Sequence, residues 1–346
     1  MNIAIKLPND LNERVLCFPF LHVLNKELTK KLEEDEFLNL HLICIKDDIE
    51  VLNLLPFQAY YHELEPEDLK TIFSVHRACM NFKIDKIDTF ISLTESFVDA
   101  SIGKNLFAED KIGYAIGQNK WVLNKRISKL KGRHVTEQTF QFLTEFVDEL
   151  PSIPQVFSRD IPPFYADYHE NPYAVLNLDL KSEKILQEWE DFFDLYVNQN
   201  FVFIYKEEQK ELLEEYIKKL PKKNSYKTFK RDSYIDFGKL ISYAKVFITY
   251  DGAFLNIAAY CGAKVLHLHE KMNLQVCGPQ FFGADVRTFS LSDPGFKADN
   301  GFNYSKIFDE IYQILDDKSE EEVEEYYYFG CRAYRYWNDY AKKPAF

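Results

Sequence analysis

Two short stretches of this chain combine residue types that could do chemistry. In the first, Thr249-Tyr250-Asp251-Gly252-Ala253-Phe254-Leu255-Asn256, an apolar run ends at an acid, two small residues and the start of a helical pattern. Peptide N–H groups at a helix start lack intrahelical acceptors and, together with the helix dipole, attract phosphate. Small side chains at 252 and 253 let a ligand come close to the backbone. The acid at 251 suits sugar hydroxyls or orients the loop, and the plainer reading is an Asp that only caps the helix. In the second stretch, Asn9-Asp10-Leu11-Asn12-Glu13-Arg14 follows the first strand pattern. A carboxylate there is placed to act as general base toward an acceptor hydroxyl. Here too, Asp10 or Glu13 as a helix cap is the competing reading. His267-x-His269 with Glu270 puts two imidazoles on one face of a strand. No third ligand at a metal-binding spacing accompanies them, so no metal site is expected.

Other chemistries are excluded by motif. The turn after the first strand, LPNDLNER, lacks glycine, and no GxGxxG follows any strand, which disfavours a dehydrogenase. No GxxxxGK[ST], GxSxG or HExxH is present, so a P-loop ATPase, an α/β-hydrolase elbow and a zincin are not expected. The net charge of −13 argues against a nucleic-acid partner, because a phosphate backbone demands basic surface. It leaves room for a small anionic ligand held at one helix N-terminus.

The elements that must position these residues alternate between strand and helix. In the first half, strands are expected at 3–7, 40–45, 89–93 and 111–114, with helices at 13–32, 68–81, 97–106 and 134–149. Prolines at 151, 154, 162, 163 and 172 then mark a linker. In the second half, strands are expected at 174–178, 201–205, 246–249 and 265–268. Its helices are expected at 182–196, 207–220, 236–243, from about 255, at 304–315 and from 319. This order predicts parallel sheets covered by helices on both faces, in two doubly wound domains with ligands at the carboxyl ends of the strands. The chain's 346 residues, 46% of them apolar and 28% charged, are enough for two packed cores. Six scattered cysteines without a CxxC pair read as reduced thiols. With no leader pattern and no apolar stretch of spanning length, a cytoplasmic protein with at most peripheral inner-membrane contact is expected.

These residues resemble glycosyltransferase family 9, the bacterial lipopolysaccharide heptosyltransferases and their relatives. The family opens with an apolar strand, a turn ending in Leu-Gly-Asp, an apolar stretch and Pro; here IAIKL, PNDLNE, VLCF and Pro19 correspond. ISLTESFVDASIGKNLFAEDKIGY resembles its strand, Ser-containing turn, helix and terminal Ile-Gly-Tyr, and His134-Val135 resembles its His-Val helix start. TYDGAFLNIAA aligns without gaps to Asn-Asp-Ser/Gly-Gly-x-x-His-Leu-Ala-Ala, and LHEKMNLQVCGP to Leu-Phe-Gly-…-Trp-Gly-Pro.

The resemblance implies a GT-B fold of two Rossmann-like domains facing across a cleft. An acceptor domain would span 1–155, a linker 156–172 and a donor domain 173–318, with a helix over 319–346 crossing back to the first domain. It implies inverting transfer of a heptose-like sugar from a nucleotide diphosphate sugar, ADP-linked by preference, to a glycan or glycolipid such as lipopolysaccharide core, with no cofactor or metal. Glu13 falls at the catalytic acid and Asp251 at the donor-sugar contact. Gly252, Ala253 and Phe254 fall in the diphosphate loop, Asn256 at a family His, and Lys184, loosely, at a phosphate-binding Lys. The departures are Asn12 for Gly, Glu13 for Asp, Ala253 for Gly, Asn256 for His and Cys277 for Trp. They motivate an alternative: a catalytically inactive GT-B-like sugar- or nucleotide-binding or scaffolding protein in glycan assembly.

Overall fold

The computed structural model describes residues 1–33, 35–84, 86–153, 172–178, 180, 183–195, 198–279, 285–298 and 301–316. The linker expected at 156–172, Pro172 apart, and the helix expected at 319–346 lie outside these residues. The described chain divides into two compact units. One holds the residues up to 153 with 273–279, and the other holds 172–272 with 285–316. The short segment from 273, which the sequence boundaries put in 173–318, therefore groups with the first unit.

The first unit contains β1 (Asn2–Lys6), α1 (Leu11–Leu16), α2 (Phe18–Thr29), β2 (Asn39–Ile45), β3 (Tyr60–Leu64), α3 (Ile72–Cys79), β4 (Thr89–Ser92), α4 (Phe97–Asn105), β5 (Asp110–Tyr114), β6 (Lys125–Ile127) and α5 (Val135–Phe140). Its six strands are parallel in the order β3-β2-β1-β4-β5-β6. The second unit contains β7 (Tyr173–Asn177), α6 (Glu183–Leu195), β8 (Asn200–Tyr205), α7 (Lys210–Lys219), β9 (Ser225–Lys230), α8 (Tyr234–Ser242), β10 (Val246–Tyr250), α9 (Ala253–Tyr260) and β11 (Val265–His269). The chain then adds α10 (Leu274–Cys277) to the first unit, and β12 (Val286–Ser290) and α11 (Tyr304–Asp316) to the second. The second sheet runs β12-β11-β10-β7-β8-β9, again all parallel. Each sheet repeats the doubly wound order 3-2-1-4-5-6, so each reverses direction between its first and fourth strands. Those switch points lie at β1/β4 and β7/β10. Together with the parallel sheets and flanking helices, this order is the two-domain α/β architecture of the GT-B fold.

The central strands are nearly continuous apolar runs because both faces are covered; Ile3, Ala4 and Ile5 in β1 and Val246, Phe247 and Ile248 in β10 are fully buried. The second core is aromatic, with Trp189 packing edge-on to Phe192 at 5.3 Å and against Phe308 at 5.1 Å. The helix expected over 13–32 is two helices. Pro19, lacking an N–H, sits in the first turn of α2, where that donor would have no intrahelical partner. The helix expected over 134–149 is α-helical only to Phe140 and continues in tighter turns to Glu145.

Candidate active site

The loop after β1 is held from beneath by two buried cations. Lys6 Nζ donates to the Leu7 carbonyl at 2.6 Å and to Asn9 Oδ1 at 2.7 Å. Arg14, also fully buried, donates from Nε to Pro8 O (3.2 Å), from Nη2 to Asn9 O (3.0 Å) and from Nη1 to Asp47 O (3.0 Å). Three successive loop carbonyls thus accept from charged donors, the stronger class of hydrogen bond. Burial lowers the Lys6 pKa, while the Asp99 carboxylate at 3.9 Å opposes that shift. On this loop Asp10 is the N-cap of α1, its Oδ1 accepting the Glu13 N–H at 2.9 Å. The cap reading therefore applies to Asp10, and the Glu13 side chain is left for another role.

Glu13 opens onto a cavity of about 380 Å³ at the β1/β4 switch point. The wall comes from the loops after β1 and β4, from Tyr114, from Lys129, and from Gln138 and Thr139 on α5. Four carboxylates line it, and three are engaged. Asp10 caps α1, Glu95 pairs with Lys129, and Asp99 accepts from Thr94 Oγ1 at 2.7 Å. The Glu13 carboxylate has no hydrogen bond or ion pair among the described residues. Desolvation by the cavity wall raises its pKa first, and Asp10 adds to the rise, with Lys129 acting against it. An unengaged carboxylate with a raised pKa in a cavity has the properties of a general base.

The segment 273–279 closes one side of this unit. Asn12 Nδ2 donates to Cys277 O at 3.2 Å, and Val276 lines the cavity. His134 caps α5 through Nδ1, which accepts the Thr136 N–H at 3.2 Å, so its Nε2–H donates to Gly278 O at 2.8 Å. Burial lowers the His134 pKa, in keeping with this neutral tautomer.

In the second unit, Asp251 directly follows β10, beside the β7/β10 switch point. Asp251 does not cap α9. Its Oδ2 accepts from the backbone N–H groups of Glu270 (3.1 Å), Lys271 (2.6 Å) and Met272 (2.9 Å), and its Oδ1 from His267 Nε2 at 2.8 Å. Burial alone would raise its pKa, but the Lys271 and Met272 amides and His267 outweigh this and hold it low. Both oxygens fix the turn that follows β11. The N-cap of α9 is Gly252, at φ 145° and ψ 178°, a region essentially reserved for glycine. Among the described residues, a Cβ at this position would meet nothing within 4 Å. The N–H groups of Ala253 and Phe254 have no acceptor among the described residues. Phe254, in the first turn of α9, packs with its ring centre 5.1 Å from that of Phe237 and 4.5 Å from the Arg231 guanidinium. Asn256 is fully buried in α9.

The expected donor residues 251–254 and 256 are thus gathered on one loop and helix start. Lys184 lies in the first turn of α6, and its side chain is outside what the structure describes. His267 and His269 are both occupied by protein partners, His269 through Ser290 Oγ (2.9 Å) and Met272 O (2.7 Å). Among the described residues no cluster of three or more His, Cys, Asp or Glu is arranged for a metal ion. Sequence reasoning missed Thr94, Glu95, Asp99, Lys129 and Gln138 in the cavity, and the His267–Asp251 pair. The strand ending at Ser92 and the Ser96 cap signal of α4 were available to point to the first three; nothing local pointed to Lys129.

No protein-family model matches the sequence, and no curated protein matches it. Solved structures do match. A glycosyl transferase family 9 structure from Veillonella parvula superposes with a TM-score of 0.68 at 14% identity, covering 91% of this chain and 97% of that one. Escherichia coli heptosyltransferase WaaC, solved with ADP, gives 0.69 at 12% identity, covering 91% and 100%. UDP-GlcNAc 2-epimerase from Neisseria meningitidis, bound to UDP-GlcNAc, gives 0.51 at 12% identity, covering 94% of each chain. Transferases and an epimerase share this architecture, so likeness at this level speaks to fold and leaves the reaction to the site. In fold, the chain is similar to the heptosyltransferases of glycosyltransferase family 9.

Proposed function

We propose that this protein is an inverting glycosyltransferase using a nucleotide diphosphate sugar. The observation that carries the reading is Glu13: an unengaged carboxylate of raised pKa in a switch-point cavity, in the first turn of a helix whose preceding loop is held by two buried cations. Glu13 takes the proton from an acceptor hydroxyl as that oxygen bonds to the anomeric carbon. The bond from this carbon to the diphosphate oxygen breaks, and its electron pair leaves with the nucleoside diphosphate. The amides of Ala253 and Phe254 and the α9 dipole stabilise the leaving phosphates. Asp251 contributes by holding the 270–272 turn against that loop, since both its oxygens are engaged. The similarity to a heptosyltransferase solved with ADP supports an ADP-linked sugar as donor and a glycan or glycolipid as acceptor. No helix among the described residues is long and apolar enough to cross a membrane.

Two measurements test this reading. Thermal melting with ADP, UDP and GDP at millimolar concentration is expected to raise the Tm with at least one nucleotide, as any ligand of the native state does. Absence of a shift with all three overturns the donor site. In a transfer assay, Glu13→Gln is expected to lower the rate about 10²–10⁴-fold, the usual contribution of general base catalysis. Equal rates remove Glu13 from the mechanism.

A further inference from the structure

Charge is unevenly spread along this chain. Acidic residues outnumber Lys and Arg, 55 to 42, yet the stretch from Gly117 to Thr136 carries six Lys or Arg and no acid. We propose that the surface formed by this stretch docks on a lipid bilayer rich in anionic headgroups, with Trp121 as its apolar anchor.

The stretch comprises a 3₁₀ turn (Gly117–Trp121), the outer strand β6 and the loop leading into α5. Three of its cations serve the protein's own carboxylates. Lys125 pairs with Asp110 (3.0 Å) and Glu145 (3.7 Å), Lys129 with Glu95, and Arg133 with Glu137 (3.8 Å). Lys120, Arg126 and Lys131 are exposed and have no carboxylate partner among the described residues. Two of these are drawn together, because Arg126 Nη2 donates to the Lys120 carbonyl at 2.7 Å. Cations gathered without a counter-charge create a local positive field on an acidic protein, and an external anion relieves it.

The same surface also projects apolar groups. Trp121 is 71% exposed, and Leu130, between Lys129 and Lys131, is 37% exposed. An indole settles at headgroup depth, while Lys and Arg lay their stems along the apolar boundary and keep their charges at the phosphates. Nucleic acid would answer the cations and could stack on Trp121, but it offers nothing to Leu130. A bilayer accommodates all three kinds of group.

Glu95 ties the parts of this surface together. Its carbonyl accepts from Nδ2 of the buried Asn119 in the turn at 3.0 Å, and its carboxylate holds Lys129 in the loop. Glu95 and Lys129 also line the Glu13 cavity. A bilayer seated on this surface would therefore lie beside that cavity and, where the transferase reading holds, would present a lipid-linked acceptor to it. The docking itself does not depend on that reading.

Co-sedimentation of the full chain with vesicles tests the inference. The chain is expected to bind phosphatidylcholine vesicles that contain phosphatidylglycerol, not phosphatidylcholine alone, and to be released as salt rises from about 0.05 to about 0.5 M. The triple variant Lys120→Gln, Arg126→Gln, Lys131→Gln, with its own Tm unchanged, is expected to bind about a hundredfold more weakly, at about fivefold per charge. Trp121→Ala is expected to weaken binding about tenfold, the scale of burying one large apolar side chain, and to lose quenching of tryptophan fluorescence by brominated lipid. Lys218→Gln, Lys219→Gln, Lys222→Gln, the same charge change on the second unit, is expected to bind as the parent does. No preference for anionic vesicles, equal weakening by both triple variants, quenching unchanged in Trp121→Ala, or tighter binding of single-stranded RNA than of vesicles overturns the inference. Vesicle binding without any nucleotide-induced Tm shift keeps it and removes the transferase reading; a shift without vesicle binding does the reverse.

Discussion

Asp10 and Glu13 stand three residues apart in one helical turn and do different work because of what each carboxylate touches. Asp10 accepts the Glu13 N–H, which satisfies a helix-start donor, whereas Glu13 is left to face the cavity. Two charges so close raise the pKa of the less stabilised one, and burial raises it further. A base with a raised pKa is protonated, and inactive, below that value, so the acid limb of the transfer rate lies above the ordinary glutamate range. Asp10→Asn keeps a good N-cap and removes one charge. It is expected to move the acid limb to lower pH while leaving it above the ordinary glutamate range, since burial, the larger cause, remains. A pH–rate profile checks this, and an unmoved limb means another group titrates. The candidate base was legible in the sequence as an acid after the first strand. The resemblance put the candidate base at Glu13; that Asp10 is the helix cap and Glu13 faces the cavity followed from the hydrogen bond Asp10 makes.

At the scale of elements, what positions Glu13 is the loop after β1, and what positions the loop is Lys6 and Arg14. Neither cation advertises itself in the sequence: Lys6 ends a strand and Arg14 sits in a short helix, where charged side chains are ordinarily solvated. Burial with carbonyl partners makes them struts. Arg14→Met keeps much of the volume but strips donors from the Pro8, Asn9 and Asp47 carbonyls. The variant is expected to lose about 2–4 kcal/mol in urea unfolding, as for other buried charged hydrogen-bond networks. Amides of the 9–15 segment are expected to exchange faster in the native state, and unchanged stability would mean the loop holds itself. Within the two six-stranded sheets, the strands absent from the sequence reading are β3, β6, β9 and β12, the outer strands of each sheet. Their residues, such as Tyr60-Tyr61-His62-Glu63-Leu64 and Ser225-Tyr226-Lys227-Thr228-Phe229-Lys230, mix polar with apolar. An edge strand faces water along one side and is kept polar to resist edge-to-edge pairing, so the buried-strand signal is missing.

For the molecule as a whole, several histidines are held neutral by the fold. Burial pushes the His22 pKa down to about 3 and that of His62 down to about 4, with His41 adding to the latter, and it lowers His134 and His267 as well. The unfolded chain would bind these protons from about pH 6.5 downward, the native chain only at lower pH. Stability is therefore full above about pH 6.5 and falls as the solution is acidified toward pH 4, by up to about 1.4 kcal/mol per pH unit for each such proton. Urea melts at pH 7.5, 6.0 and 5.0 are expected to show the midpoint dropping steadily, and a flat profile would mean these rings are protonated in the native state. The alternation of buried strands and helices was determined by the sequence itself, because a strand covered on both faces must be apolar throughout and a surface helix must be apolar on one side. The order of motifs along the chain likewise located the two loops where chemistry is expected. Only the tertiary structure decided which side chains those loops leave unengaged. Lys129, Asp99 and His267 reach their partners from 16 to 93 residues away along the chain, and no local pattern encodes a contact that strand order creates.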